Sequence, residues 1–434
     1  MNVPLSLSDL IVHFGNSMIG RMPTTKRQSR AEPPPAARRG GRNINVQAVV
    51  DVLRADGPSS QASIARRTEL SPATVNKIIQ SLREAGMVEI EWINGREALV
   101  GLAPKRGTFI SVCVSPESVY GAVFSFGKNE RFDLRIDAAR DPNRPGSGPD
   151  AVIQIVQALA RKAGVSVKDL SGVSIAMHAP VDRRTGKIGS WALTRLPGWR
   201  EVAIQETLST ILGVPVVVEN DANLGALAEW TWGAGRGTEC FLYVMCAAGI
   251  GGGLVLDGKL HRGANGMALE IGHIVLEQTG PVCFCGSRGC LSTVASERSI
   301  LLALEGSESP KRSLAEVIVA AREGDPVCQR VLYEAGRGLG RALSNMAKII
   351  APGVIAVGGV LATAGDLVFT GIQTAIEENN VPAFSPSAQL KPALVRDDAT
   401  LLGGLAALMG VLGQGVSELP EWLLLAGEVE VMAV

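Results

Sequence analysis

The chain has 434 residues, enough for two or three domains. It is 46% hydrophobic and 19% charged, a globular composition, and its formal net charge of zero excludes a surface that adheres to nucleic acid everywhere. Its seven cysteines, an odd number unevenly spread, speak against a secreted disulfide framework.

Residues 1–42 read as a disordered basic tail, with Arg or Lys at 21, 26, 27, 30, 38, 39 and 42 against Asp9 and Glu32. No secretory signal is read there. Residues 43–106 read as one compact unit. A first helix fits NINVQAVVDVLRADG and a second fits QASIARRTE. A third begins at Ser71 as cap, with Pro72 in its first turn, and runs PATVNKIIQSLREAG. MVEIEWINGREALVGLA then reads as two strands around an Asn94-Gly95 turn. Three helices followed by a hairpin is the winged helix-turn-helix layout. Val75, Ile78, Ile79 and Leu82 form the buried stripe of the third helix, which leaves Ser71, Thr74, Asn76 and Lys77 to face DNA. Arg66 and its neighbour Arg67 are placed to meet phosphates, and Arg96 beside the turn to enter the minor groove as a wing tip. The bland alternative is a three-helix bundle with an ordinary solvated face, since the unit has eight basic and seven acidic residues.

From residue 107 strands and helices alternate. FISVCV, YGAVFSF and FDLRID read as strands, AVIQIVQALARKAG as a helix, and SGVSIAM as a strand. VPVVVEND is a buried strand leading into the helix ANLGALAEWTWG, and FLYVMC with GGLVLDGK repeats the opening pair. Two related α/β lobes are therefore expected over 107–414. The least charged long stretch, 349–365, is broken by Pro352 and repeated glycines and reads as a buried strand and turn, not a membrane span. Residues 415–434 are acidic and read as a tail.

Residues 273–290, HIVLEQTGPVCFCGSRGC, hold one of the four histidines and three of the seven cysteines. His273, Cys283, Cys285 and Cys290 fit a closed four-ligand structural Zn2+ site. Cys283 and Cys285 face one side of an extended segment, and Gly286 and Gly289 turn the loop so that Cys290 arrives. Cys113, Cys240, Cys246 and Cys328 lie in apolar contexts and are expected in the core.

SGVSIAMHAPVDRRTGKI, LPGW, GVPVVVENDANLGALAEWTWGAGRG, AAGIGGGLVLDGKLHRGANG, LEIGHI and CFCGSRGC together resemble the ROK family of repressors, open reading frames and sugar kinases. With the winged helix in front, the chain resembles a ROK transcriptional regulator over roughly 43–410. The resemblance implies a two-lobed actin-like, ribonuclease-H-like body with a sugar in the cleft. It implies that Asp221 stands where the kinases of the family hold their catalytic base, and that Asn220, Asp221, Glu270 and His273 contact the effector. His273 would serve the metal through one ring nitrogen and the sugar through the other.

The departures matter. The family's kinases carry Asp-x-Gly-Gly-Thr after the first strand, whereas here CVSPES places Cys113, Ser115 and Pro116 in that turn. The second phosphate turn has Ala248 in place of a Thr. His178 and Ala179 replace a Pro-Gly, Arg195 replaces an Asn before LPGW, and Ser292 replaces a sugar-contacting Glu. The expectation is a cytoplasmic, non-enzymatic regulator that binds a double-stranded operator as a homodimer or homotetramer. It takes a small carbohydrate effector and has no membrane partner. Two rivals stay open: a sugar kinase with an appended helix-turn-helix, and a regulator whose cleft takes no sugar.

Overall fold

The computed structural model describes residues 45–46, 48–50, 52–53, 56–84, 88–93, 97–102, 107–137, 148–306, 311, 313–379, 388–395, 398–411, 421–424 and 429–432. The expected tail 1–42 and the wing-tip residue Arg96 lie outside them. The chain divides into two compact units after Leu102, close to the boundary expected at residue 106.

In the first unit, helix α1 lies within 45–56 and is followed by β1 (Ser59–Ser60), α2 (Gln61–Thr68), α3 (Pro72–Glu84), β2 (Val88–Ile93) and β3 (Glu97–Leu102). The strands form an antiparallel sheet in the order β1-β3-β2. The Ser60 hydroxyl caps α2 by accepting from the Ser63 amide at 3.3 Å. This helix stops one residue earlier than its sequence pattern suggests, because Glu69 turns left-handed at φ 56°. Ser71 caps α3, accepting from the Thr74 amide at 3.2 Å. Val49, Ile64, Val75, Ile79 and Val100 close the small core.

The second unit opens with an antiparallel run of β4 (Thr108–Val114), β5 (Ser118–Ser125) and β6 (Glu130–Asp137). After α4 (Pro149–Lys162), strand β7 (Gly172–Met177) joins β4 in parallel. After α5 (Ile204–Leu212), β8 (Val216–Asn220) joins β7 in the same sense. Helix α6 (Asp221–Trp232) leads to the second lobe, where β9 (Cys240–Cys246), β10 (Ile250–Leu256) and β11 (Lys259–Leu260) repeat the antiparallel opening. Helices α7 (Ser292–Ala295), α8 (Glu297–Ala303), α9 (Leu314–Arg322) and α10 (Pro326–Ile350) follow. Then come β12 (Val354–Gly358), α11 (Asp366–Glu378), β13 (Gln389–Pro392) and α12 (Ala399–Val411). Strands β12 and β13 are parallel to β9. Short α13 (Glu421–Leu424) and β14 (Glu430–Met432) end the described chain. The first sheet is ordered β14-β6-β5-β4-β7-β8 and the second β11-β10-β9-β12-β13.

All seven residues of β4 are buried, as both faces of its sheet are covered. Ile110, Val112 and Val114 pack with α4, while Phe109 and Cys113 pack with α6 and α12. Helix α6 is enclosed by small-residue contacts. A Cβ on Gly403 of α12 would overlap the Leu224 carbonyl, and one on Gly253 of β10 would overlap Ala226. These close approaches fix the helix whose first residue is Asp221.

Residues 421–424 and 429–432 are part of the body, which corrects the expected tail where it is described. Strand β14 pairs with β6. Leu423 is fully buried, its carbonyl accepts from Arg131 Nη1 at 2.6 Å, and Trp422 meets Phe126 edge to face at 5.2 Å. Apolar Trp422 and Leu423 supply burial that the acidic composition concealed. Cys113, Cys246 and Cys328 are buried as expected, but Cys240 at the start of β9 is half-buried. Among the described residues no helix is long and apolar enough to cross a membrane.

Candidate functional site

The first unit presents an exposed polar face along α3 and its cap. On α3, Ser71, Asn76 and Lys77 are exposed and Thr74 is half-exposed, while Val75, Ile78 and Ile79 point inward. The Ser71 and Thr74 hydroxyls lie 2.8 Å apart, so the cap also orders the first turn. Arg66 is exposed at the end of α2. Arg67 is engaged by Asp56 at 3.3 Å.

In the second unit, Asn220, Asp221, Glu270 and His273, the four residues expected at the effector, line one cleft. Asn220 ends β8 and caps α6: its Oδ1 accepts from the Asn223 amide at 3.1 Å, and its Nδ2 donates to the Ala179 carbonyl at 3.3 Å. Much of its hydrogen-bonding capacity is thus spent on holding the strand-to-helix turn. Asp221 is the first residue of α6, and its Oδ1 accepts from the Ala222 amide at 2.9 Å.

His178 completes the floor. Its Nδ1 lies 2.8 Å from Asp221 Oδ2, and its Nε2 faces Gly249 of the second Gly turn. Burial works against the imidazolium, but the Asp221 carboxylate outweighs it and holds His178 above its ordinary value. Burial, with the Asp221 charge adding, pushes the Glu270 carboxyl up to about 7. Glu219 supports the site from behind, bonding Asn223 Nδ2 at 2.9 Å and the Arg262 guanidinium.

The turn after β4 is filled from within. The Ser115 hydroxyl accepts from the Glu117 amide at 3.3 Å and the Ser118 amide at 3.0 Å, while the Ser115 amide donates to the Ser118 carbonyl at 2.9 Å. Pro116 has no N–H. The backbone donors of this turn are therefore already committed.

His273, Cys283, Cys285 and Cys290 converge, with their ligand atoms all within 4.8 Å of one another, so the four can hold a metal ion. His273 Nδ1 lies 3.6 Å from Cys283 Sγ, and Cys285 Sγ lies 3.8 Å from Cys290 Sγ. Burial holds the His273 imidazole below its ordinary value, in the neutral form that metal binding requires. The ring also packs edge to face on Trp191 at 5.0 Å and Phe284 at 5.1 Å. Phe284, between two cluster cysteines, places the clip beside the cleft. Trp191, Phe284 and His178 acquire their place here through contacts distant in sequence. The one local signal was a histidine where Pro-Gly is usual.

Comparison with known proteins agrees with this architecture. Residues 42–89 match the winged helix-turn-helix DNA-binding family. The DNA-binding transcriptional repressor Mlc of Escherichia coli is 26% identical over 381 residues, 83% of this chain and 92% of that protein. A glucokinase of Halalkalibacterium halodurans is 32% identical over 280 residues, 60% of this chain and 84% of the enzyme. The crystal structure of a ROK family transcriptional regulator, a homologue of the E. coli Mlc protein, superposes with a TM-score of 0.71 at 25% identity, covering 86% of this chain and 96% of its own. Residues 133–410 match the ROK family, and the chain belongs to it.

Proposed function

We propose that this chain is a sequence-specific DNA-binding transcriptional regulator, a repressor, whose kinase-like body binds a sugar or sugar phosphate effector without phosphorylating it. The observation that carries this is a winged helix-turn-helix with an exposed polar α3 face, placed ahead of a ROK body whose first phosphate turn is already filled. Ser71, Thr74, Asn76 and Lys77 read the major groove, Arg66 meets phosphate, and Arg96 contacts the minor groove. Two reading heads are needed for half-sites one helical turn apart, so the active form is a homodimer or homotetramer. Acting on the chromosome, the protein works in the cytoplasm.

In the cleft, Asp221, Asn220, Glu270 and His273 pair with sugar hydroxyls, which both donate and accept. Asp221 acts as a binding group: His178 and the Ala222 amide each engage one of its oxygens, and each oxygen keeps a further lone pair to accept from a sugar hydroxyl. The clip holds structural Zn2+. A tetrahedral zinc with Zn–S about 2.3 Å and Zn–N about 2.05 Å separates sulfur from nitrogen by about 3.6 Å and sulfur from sulfur by about 3.8 Å. The observed 3.6 and 3.8 Å separations support that assignment. With Nδ1 on the metal, His273 keeps Nε2–H for the effector.

A gel shift on the DNA upstream of the protein's own gene, with zinc present at moderate salt, tests the proposal. A sequence-specific shift released by an effector is expected, and no specific shift would overturn it. The glucokinase relative and the retained Asp221 favour a second reading, a ROK sugar kinase. ATP-dependent phosphorylation of glucose above background, lost in Asp221→Asn, would establish that instead.

A further inference from the structure

Asp221, Asn220, Glu270 and His273 account for the deep, polar part of the cleft, but not for its outer edge. There Arg195, Trp191 and Phe284 line the same opening. Arg195 is the one Arg or Lys among the described residues lining the cleft. Its guanidinium lies over the Phe284 ring, 5.3 Å from the centroid. A cation–π contact of this kind holds the guanidinium over the ring while its N–H groups can still donate to a planar or tetrahedral anion. Phe284 in turn packs on Trp191 at 5.6 Å, and both rings touch His273. The cation is thus built onto the metal clip through aromatic contacts.

The polar partner of Arg195 among the described residues is Glu117, 3.4 Å away and 58% exposed. A long, exposed ion pair contributes little and is easily exchanged. Deeper in, the Asp221 carboxylate repels an anion, and His178 offsets part of that charge. A ligand with an anionic group therefore has one favourable orientation, with hydroxyls inward and the anion at the edge.

We propose that the effector carries an anionic group, a phosphate or a carboxylate, read by Arg195 held over the Phe284 ring and displacing Glu117, while its hydroxyls face Asp221, Asn220, Glu270 and His273. This rests on the effector reading given above and narrows its ligand class.

The test is thermal shift and calorimetry on the full, zinc-loaded chain. The probes are neutral hexoses, N-acetylhexosamines and pentoses, their terminal phosphates, the matching uronic acids, and inorganic phosphate. At least one anionic sugar should bind about tenfold or more tighter than its neutral parent, and the phosphate and uronate arms decide which anion is read. Arg195→Gln should remove that preference, and Glu117→Gln should strengthen it severalfold. The opposite directions of the two variants separate charge recognition from misfolding. A neutral sugar binding as well as its anionic forms, unaffected by Arg195→Gln, overturns this inference and leaves the effector reading standing. Binding of inorganic phosphate as tight as that of any sugar phosphate also overturns it. If no sugar binds at all, the effector reading fails, and this inference with it.

Discussion

Cys283 is a direct handle on the His/Cys clip, which can hold a metal ion. Its thiol meets His273 Nδ1, and His273 also lines the cleft. Cys283→Ser should drop bound zinc, measured by elemental analysis, from one per chain to near none, and should abolish the effector-dependent release of DNA. Retained effector response in the zinc-free variant would break the proposed link between clip and cleft. Glu270 makes a second prediction at this scale. Its folded carboxyl is raised to about 7 from 4.5, so the folded protein holds the proton more tightly than the unfolded chain. Its favourable contribution is complete below about pH 4.5 and is lost as pH rises through about 7. Glu270→Gln should therefore flatten Tm against pH between 5 and 8 and be more stable than the parent at pH 8, by about 2 kcal/mol after allowing for solvent screening. An unchanged pH profile would remove Glu270 as its source.

Helix α3 is the element on which the proposed DNA recognition rests. Its first turn is held by Ser71, and its buried side by Val75, Ile78 and Ile79. Asn76 and Lys77 are exposed and carry different chemistry. An amide pairs with the edge of one base, whereas an ammonium is a point charge suited to phosphate. Asn76→Ala should cost about 1–3 kcal/mol on the operator and relax preference at one base pair, seen by binding to an operator mutant series. Lys77→Ala should weaken operator and random DNA alike and lower the salt slope by about one. Equal loss on all sequences from both variants would mean that α3 is not the reading helix.

The body as a whole is organised around α6. Eight of its residues are buried, Asp221 to Ala226, Ala228 and Glu229, so it has no solvent face along most of its length. Glu229 ties the helix to the segment before α12, its Oε1 accepting from the Val395 amide at 2.7 Å and its Oε2 from the Leu394 amide at 3.1 Å. The Gly403 contact leaves no room for a methyl group. Gly403→Ala should force α6 and α12 apart at a cost of about 1–3 kcal/mol. It should lower the melting of the body by roughly 1.5–4 °C and weaken effector binding, because Asp221 moves with α6. Melting of residues 45–102, a separate compact unit, should not change. A shift of both transitions together would show that the two units unfold as one.

Local chemistry made much of this legible without coordinates. Ser71-Pro72 and the apolar stripe behind it announced α3, short segments such as FISVCV and VPVVVEND announced the strands, and the spacing of Cys283, Cys285 and Cys290 announced the clip, because each depends on residues a few positions apart. Other features depend on partners that only the fold brings together. His178 meets Asp221 across 43 positions and Arg195 meets Glu117 across 78. The acidic composition of 415–434 concealed β14, which has no partner until β6 is in place. The filled turn after β4 was half legible: Pro116 announced the missing donor, but the capture of two amides by the Ser115 hydroxyl is a matter of turn geometry. Sequence by itself determined which elements form and which residue types can bind metal and DNA, since propensity and ligand spacing act over short range. Tertiary structure decided which charges share the cleft and which are already paired, since that depends on where distant strands end.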